Sequence, residues 1–119
     1  MKGFGYEELV VWQKSMDLCT LIYTTTNMFP REEQFGLTSQ MRRSAVSVPS
    51  NIAEGRNRSS RKDFRNFLHI AKGSAAELCT QVEIARRLGY INNKTATELT
   101  DKLQEVMKLL GSFIVSLKD

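Results

Sequence analysis

The 119-residue chain carries 17 Lys and Arg against 13 Asp and Glu, for a net charge of +4. That length suits one domain with one core, read here as residues 1–119, and 41% hydrophobic with 25% charged residues is ordinary globular composition. Seven Gly and two Pro leave few turn signals and no low-complexity tract, which argues against long disorder.

The start, MKGFGYEELVVWQKS, has one Lys followed by acids and no long apolar run, unlike a signal peptide. No window reaches the roughly 18–20 apolar residues of a membrane span. A cytoplasmic protein with no membrane partner is expected. From Tyr6 to about Asn27, Leu9, Trp12, Met16, Cys19 and Tyr23 recur at helical spacing and predict one apolar face. Phe29–Pro30 closes this helix, because the residue before Pro avoids the α region.

REEQFG reads as a loop. A second helix is predicted from about Ser39 to Arg56, with Thr38 as its N-cap and Met41, Ala45, Val48 and Ile52 as its seam. Pro49 lies inside it, deletes a backbone donor and presses on the Ala45 carbonyl, so a kink is expected. Gly55 begins the exit. Ser60 with Asp63 opens the third helix, whose seam is Phe64, Leu68, Ala71, Ala75, Leu78, Val82 and Ala85. It ends at RRLG, with cations in the last turn and Gly89 beyond.

Thr95 with Glu98 reads as the capping box of a fourth helix carrying Leu99, Leu103, Val106, Leu110, Phe113 and Leu117. The fold predicted is all-α, an antiparallel up-down-up-down four-helix bundle. Phe67, Ile70, Met107, Leu109 and Ile114 are apolar residues off these seams, available for subunit contact.

On the second helix Arg43, Ser47, Asn51 and Glu54 form a polar stripe, and Ser74, Glu77 and Gln81 offer a matching one on the third. The Gly73–Ser74 pair costs helix propensity, which close approach of a neighbouring helix would offset. We expect Arg43 to pair with Glu77, Glu54 or both, with Ser47, Asn51 and Ser74 completing a structural network. The alternative is a solvated face. A second cluster, Arg56, Arg58, Arg61 and Lys62, surrounds the turn between these helices, where the N-terminus of the third adds exposed donors. With Arg42, these are the candidate nucleic-acid-binding residues; the alternative is a solvated cationic loop. The turn has no base-stacking aromatic, so backbone and shape contacts are expected from any RNA bound there.

Catalytic signals are sparse. His69 is the one histidine, and with Cys19 and Cys79 distant from each other in sequence it makes no metal site. Both cysteines read as small buried hydrophobes. Arg65 and His69 are separated by three residues, a poor match to the four to six residues of HEPN-type ribonucleases. No phosphate-binding Gly loop, nucleophile elbow or paired carboxylates occur. No enzyme activity, cofactor, metal or small-molecule substrate is expected.

Four segments, LVVWQKSMDLCTLIY, FPREEQFGLTSQMRRSAVSVPSNIAEG, FRNFLHIAKGSAAEL and LGYI, together resemble the 23S rRNA-intervening sequence protein family, which is also described as ribosomal-protein-like. The resemblance covers nearly the whole chain. It implies an antiparallel four-helix bundle commonly assembled as a homopentamer, encoded within insertions of large-subunit rRNA genes or elsewhere. It carries no established biochemical role. A distant relative is the basic pentameric accessory protein of diversity-generating retroelements, which binds nucleic acid and a reverse transcriptase. The family pattern falls on Arg42, Arg43, Ser47, Asn51, Glu54, Gly55, Gly73, Ser74 and Glu77, while relatives often carry a charge where Cys79 stands. These observations lead to a non-enzymatic oligomer that binds RNA or a nucleoprotein through basic surfaces. The alternative is a protein-interaction scaffold with no nucleic-acid ligand.

Overall fold

The computed structural model describes residues 5–118; positions 1–4 of the segment read as lacking a signal, and Asp119, lie outside the described residues. Four helices follow in order: α1 Val10–Thr26, α2 Leu37–Arg56, α3 Arg61–Arg87 and α4 Asn93–Ser116. Short 3-10 turns at Tyr6–Glu8 and Arg31–Glu33 precede α1 and α2. No strand occurs among the described residues. The bundle measures 45 × 23 × 21 Å.

Contacts at the helix ends fix the directions. Arg42, near the start of α2, bonds the end of α1. Tyr90, just past α3, donates to Glu33, just before α2. Arg61, at the start of α3, donates to carbonyls at the end of α4. α2 therefore runs antiparallel to α3, and α3 to α4, and the ion pair of Lys14 with Glu105 joins α1 to α4.

The predicted seams of α2 and α3 are buried throughout. On α4, Leu99, Leu103, Val106 and Leu110 are buried, but the next core residue is Ile114, with Phe113 and Leu117 half-buried. Ile114 is thus core and not a spare apolar surface residue. Phe67 is half-buried and covered by Arg58, leaving Ile70 as the well-exposed member of that off-seam set.

The face of α1 is rotated by one residue from the predicted one. Val11, Ser15, Leu18, Ile22 and Thr26 point inward, while Met16 is 38% and Tyr23 41% exposed. Ser15 and Thr26 can be buried because each hydroxyl donates to the carbonyl one turn back, Val11 O at 2.7 Å and Ile22 O at 2.8 Å. Cys19 and Cys79 are free and half-buried against the core, and burial raises both thiol pKa values.

Two predicted caps move. α2 starts two residues earlier than predicted, so Thr38 is buried inside it, and Gly36 precedes the helix with no side-chain cap. The Glu33 carboxylate instead accepts the Leu37 N–H at 3.0 Å and the Tyr90 hydroxyl at 2.8 Å, and both bonds hold its pKa down. A Cβ on Gly36 would lie 2.7 Å from that same carboxylate oxygen, so glycine leaves room for the cap. α4 is capped by Asn92, whose side chain accepts the Thr95 N–H at 2.8 Å; Thr95 lies within the helix. Ile91 before this cap and Ala96 beyond it are both buried, the positions of a hydrophobic staple. Ser60 caps α3 as predicted, accepting from the Asp63 N–H at 3.1 Å.

The glycines exchange roles. Gly55 does not begin an exit but lies within α2, where a Cβ would meet Phe67 Cβ at 2.7 Å and Phe64 Cδ1 at 2.9 Å. It marks the close approach of α2 and α3. Gly73, for which that role was predicted, has nothing within 4 Å. α2 continues through the buried Pro49 to Arg56.

Candidate nucleic-acid interface and the adjoining polar cleft

The five cations grouped by sequence stand at two places. Arg42 faces the last turn of α1. Its Nε donates to Thr26 Oγ1 at 2.9 Å, its Nη2 to Asn27 Oδ1 at 2.9 Å and to Tyr23 O at 3.4 Å, and its guanidinium lies 4.6 Å from the Tyr23 ring centroid. A cation over the carbonyl end of a helix opposes the negative end of its dipole. Arg42 is a helix clamp, separated from the other cations by most of the length of α2.

Arg56, Arg58 and Arg61 line one cleft of about 350 Å³ at the turn between α2 and α3, together with Ser59 and Ser60. Phe64, Phe113 and Leu117 supply its apolar wall, and the Phe64 and Phe113 rings meet edge to face at 5.1 Å. The three arginines differ in how they are held. Arg61 donates to Ser116 O at 3.0 Å, and Arg65 joins it on Leu117 O at 3.2 Å, so both clamp the end of α4. Arg58 pairs with Glu54 at 3.3 Å and stacks 4.9 Å from the Phe67 centroid. Both partners of that pair are about half exposed, so the bond is weak and exchangeable. Arg56 Nε is buried with no acceptor among the described residues. Lys62 is exposed on the first turn of α3 with no ion-pair partner among the described residues. Cations at that positive helix end are unfavourable unless an anion joins them.

The polar stripes meet between α2 and α3. Ser47 Oγ and Ser74 Oγ are 2.7 Å apart, and Asn51 Nδ2 donates to Ser47 O at 2.8 Å and Ser47 Oγ at 2.9 Å. The predicted charge pairing does not form. Glu77 Oε1 accepts from Ser44 at 2.7 Å, a residue sequence reasoning passed over, and Glu54 turns to Arg58. Arg43 is exposed and unpaired among the described residues. Ser44 lies one residue off the stripe, on a side of α2 that spacing alone does not mark as facing α3. Arg43 and Glu77 line a polar cleft of about 510 Å³ without bonding each other. Phe35, from the loop before α2, stands at this cleft and at a neighbouring one of about 760 Å³ along α1 and α2, and is 91% exposed. The loop aromatic went unused in the sequence reading because nothing in REEQFG ties it to the helix stripes.

His69 is exposed, and Arg65 is spent on the end of α4, so that pair forms no joint site. No group of three potential metal ligands occurs among the described residues, and no described helix is long and apolar enough to cross a membrane.

The 23S rRNA-intervening sequence protein model matches residues 7–112. A protein of unknown function from the S23 ribosomal protein family of Bacteroides thetaiotaomicron VPI-5482 is similar in structure, with a TM-score of 0.79 and 32% sequence identity. That match covers 88% of this chain and 98% of the other. No curated protein matches. With a family match over nearly all of its helical region, this chain belongs to the 23S rRNA-intervening sequence protein family.

Proposed function

We propose that the protein is a non-enzymatic, cytoplasmic bundle that binds RNA, alone or in a nucleoprotein, through the cationic turn between α2 and α3. The observation that carries this is the cleft in which Arg56, Arg58 and Arg61 stand beside the Ser59 and Ser60 hydroxyls, with Arg56 Nε lacking an acceptor. A phosphate there meets charge-assisted donors and the N-terminal end of α3. Arg42 drops out of the binding set, since its Nε and Nη2 are bonded to the end of α1 and its guanidinium stacks on Tyr23. Arg56, Arg58 and Lys62 are the contact residues, with Arg61 shared between the ligand and α4.

Self-association into a homopentamer would repeat the corner around a ring, five copies of +4 in all. Weak phosphate contacts then add as avidity. Ile70 and Val115, 52% and 64% exposed, are apolar surface available for subunit contact. Light scattering on the eluted species measures the assembly.

The binding test is titration of a structured rRNA fragment at two salt concentrations, beside an Arg56→Ala/Arg58→Ala/Lys62→Ala variant that leaves the Arg61 clamp intact. Micromolar binding that weakens with salt and is lost in the variant supports the reading. No binding by the wild type at low salt sinks it and favours a protein scaffold.

A further inference from the structure

The polar cleft between α2 and α3 bears on a ligand as well, and its reading rests on the RNA proposal above. At about 510 Å³ it falls within the range of roughly 300–1,000 Å³ common to small-ligand sites. Glu77 and Gln81 stand one turn apart on its α3 wall. Ser44 takes Glu77 Oε1 at 2.7 Å and leaves Oε2 open. Gln81 is only 6% exposed, yet its Oε1 accepts no hydrogen bond from any described residue. An unsatisfied buried amide oxygen is costly, so a ligand donor that satisfies it is favoured. The facing wall carries Arg43, unpaired and exposed, and Phe35 stands at the mouth with 91% of its surface in solvent.

The cleft thus offers acceptors on one wall, an unpaired cation on the other and an aromatic face between them and solvent. A cationic side chain from a protein partner would suit Glu77 but be repelled by Arg43 in the same space. A simple anion would suit Arg43 and be repelled by Glu77. A neutral planar group with a donor edge beside an acceptor edge suits both.

We infer that this cleft takes one unstacked guanine base. Guanine presents N1–H and N2–H2 as adjacent donors, which a carboxylate accepts. Adenine and cytosine place a ring-nitrogen acceptor in that position, and uracil flanks its single N–H with two carbonyls, so each is repelled by Glu77. The O6 and N7 acceptors of guanine are the usual partners of an arginine, here Arg43. Phe35 provides the stacking platform that single-stranded RNA recognition uses and that the cationic turn lacks. Cleft and turn lie toward opposite ends of the α2–α3 pair, about 20 Å apart along α2, so only a strand of several nucleotides contacts both: phosphates at Arg56 and Arg58, one base at Glu77.

The test uses the full chain and free nucleoside monophosphates, followed by calorimetry and by amide NMR shifts. Guanosine monophosphate is expected to bind at least about tenfold more tightly than the adenosine, cytidine and uridine forms, with shifts at Phe35, Arg43 and Glu77. Glu77→Gln should remove most of that preference. Phe35→Ala, at a residue with almost no packing to lose, should weaken guanosine monophosphate binding without lowering stability. Equal binding of all four nucleotides, or none at millimolar concentration, overturns the inference. Oligouridine and a matched oligomer containing guanine separate it from the broader proposal. If both bind alike and only the turn variant abolishes binding, the guanine site falls while RNA binding stands. If guanosine monophosphate binds selectively and neither oligomer binds, the guanine site stands and RNA binding falls.

Discussion

Arg42 near the start of α2 donates to Thr26, Asn27 and Tyr23, while at the other end of the helix Arg56 keeps a buried Nε without an acceptor and Arg58 holds only a half-exposed carboxylate. The residues are chemically alike and the helix is the same. What differs is whether a neighbouring helix ends within reach. α1 ends beside Arg42 and α4 ends beside Arg61 and Arg65, and each terminus leaves backbone carbonyls that need donors. A bundle draws part of its arginine complement to its helix C-termini before any ligand arrives. Charge clusters in a sequence therefore overstate the binding surface, and the arginines left over are the informative ones.

The same contrast exists between the glycines, and there it predicts the largest effect. Gly55→Ala forces a Cβ to within 2.7 Å of Phe67 Cβ, an atom close to the backbone that cannot swing away. Overpacking of this kind costs about 1–3 kcal/mol, against a helix-propensity gain of about 1 kcal/mol. Net destabilisation in urea unfolding is expected. A gain in stability would show that α2 and α3 are less tightly apposed than this. Gly73→Ala adds its Cβ to open space in mid-helix and should stabilise by about 0.5–1 kcal/mol. Opposite signs at these two helical glycines, one buried against α3 and one open to solvent, would establish where the close approach lies.

Substitution of the adjacent arginines sharpens the first comparison. Arg42→Ala removes the donors to α1 and is expected to cost about 1–2 kcal/mol. Arg43→Ala should change stability by less than about 0.5 kcal/mol, as an exposed residue without a partner does. Equal losses would mean that Arg43 is held by something the structure does not pair with it. In RNA binding the order should reverse, with Arg43→Ala the more damaging of the two.

Legibility in the sequence followed the kind of residue that carried each feature. α3 was readable through its whole seam, because Phe64, Leu68 and Leu78 are large and apolar and nothing polar interrupts the period. α1 was misread by one residue because two of its core positions, Ser15 and Thr26, are polar in composition but satisfied by their own backbone. The caps failed for a related reason. Thr38 and Thr95 have the right chemistry, yet Glu33 and Asn92 reach the free N–H groups first, and burial of Leu37 and Ile91 sets where the turns begin. The stripe of Ser47, Asn51 and Ser74 could be placed by spacing. That Ser44 and not Arg43 would take Glu77 could not, because the choice turns on which side of α2 faces α3.

The smallest effects separate two carboxylates by their partners. Glu83 is bound by Arg86 at 2.8 Å and Arg87 at 2.9 Å, which lower its pKa to about 2. Glu33 is lowered by the Leu37 N–H and the Tyr90 hydroxyl, which are neutral donors. In both cases the folded-state pKa lies below the ordinary carboxylate value of 4.5. Each contribution is therefore complete above that value and is lost as pH falls through the folded pKa, which for Glu83 means between 4.5 and about 2. Salt tells them apart. Screening weakens an exposed ion pair and leaves a hydrogen bond to a neutral donor largely intact. Acid unfolding curves of Glu83→Gln and wild type should converge in high salt, while Glu33→Gln, which keeps one acceptor oxygen where the α2 cap and the Tyr90 hydroxyl use two, should stay displaced. Convergence of the Glu33→Gln curve as well would mean that its carboxylate acts through charge and not through the bonds that join α2 to the turn after α3.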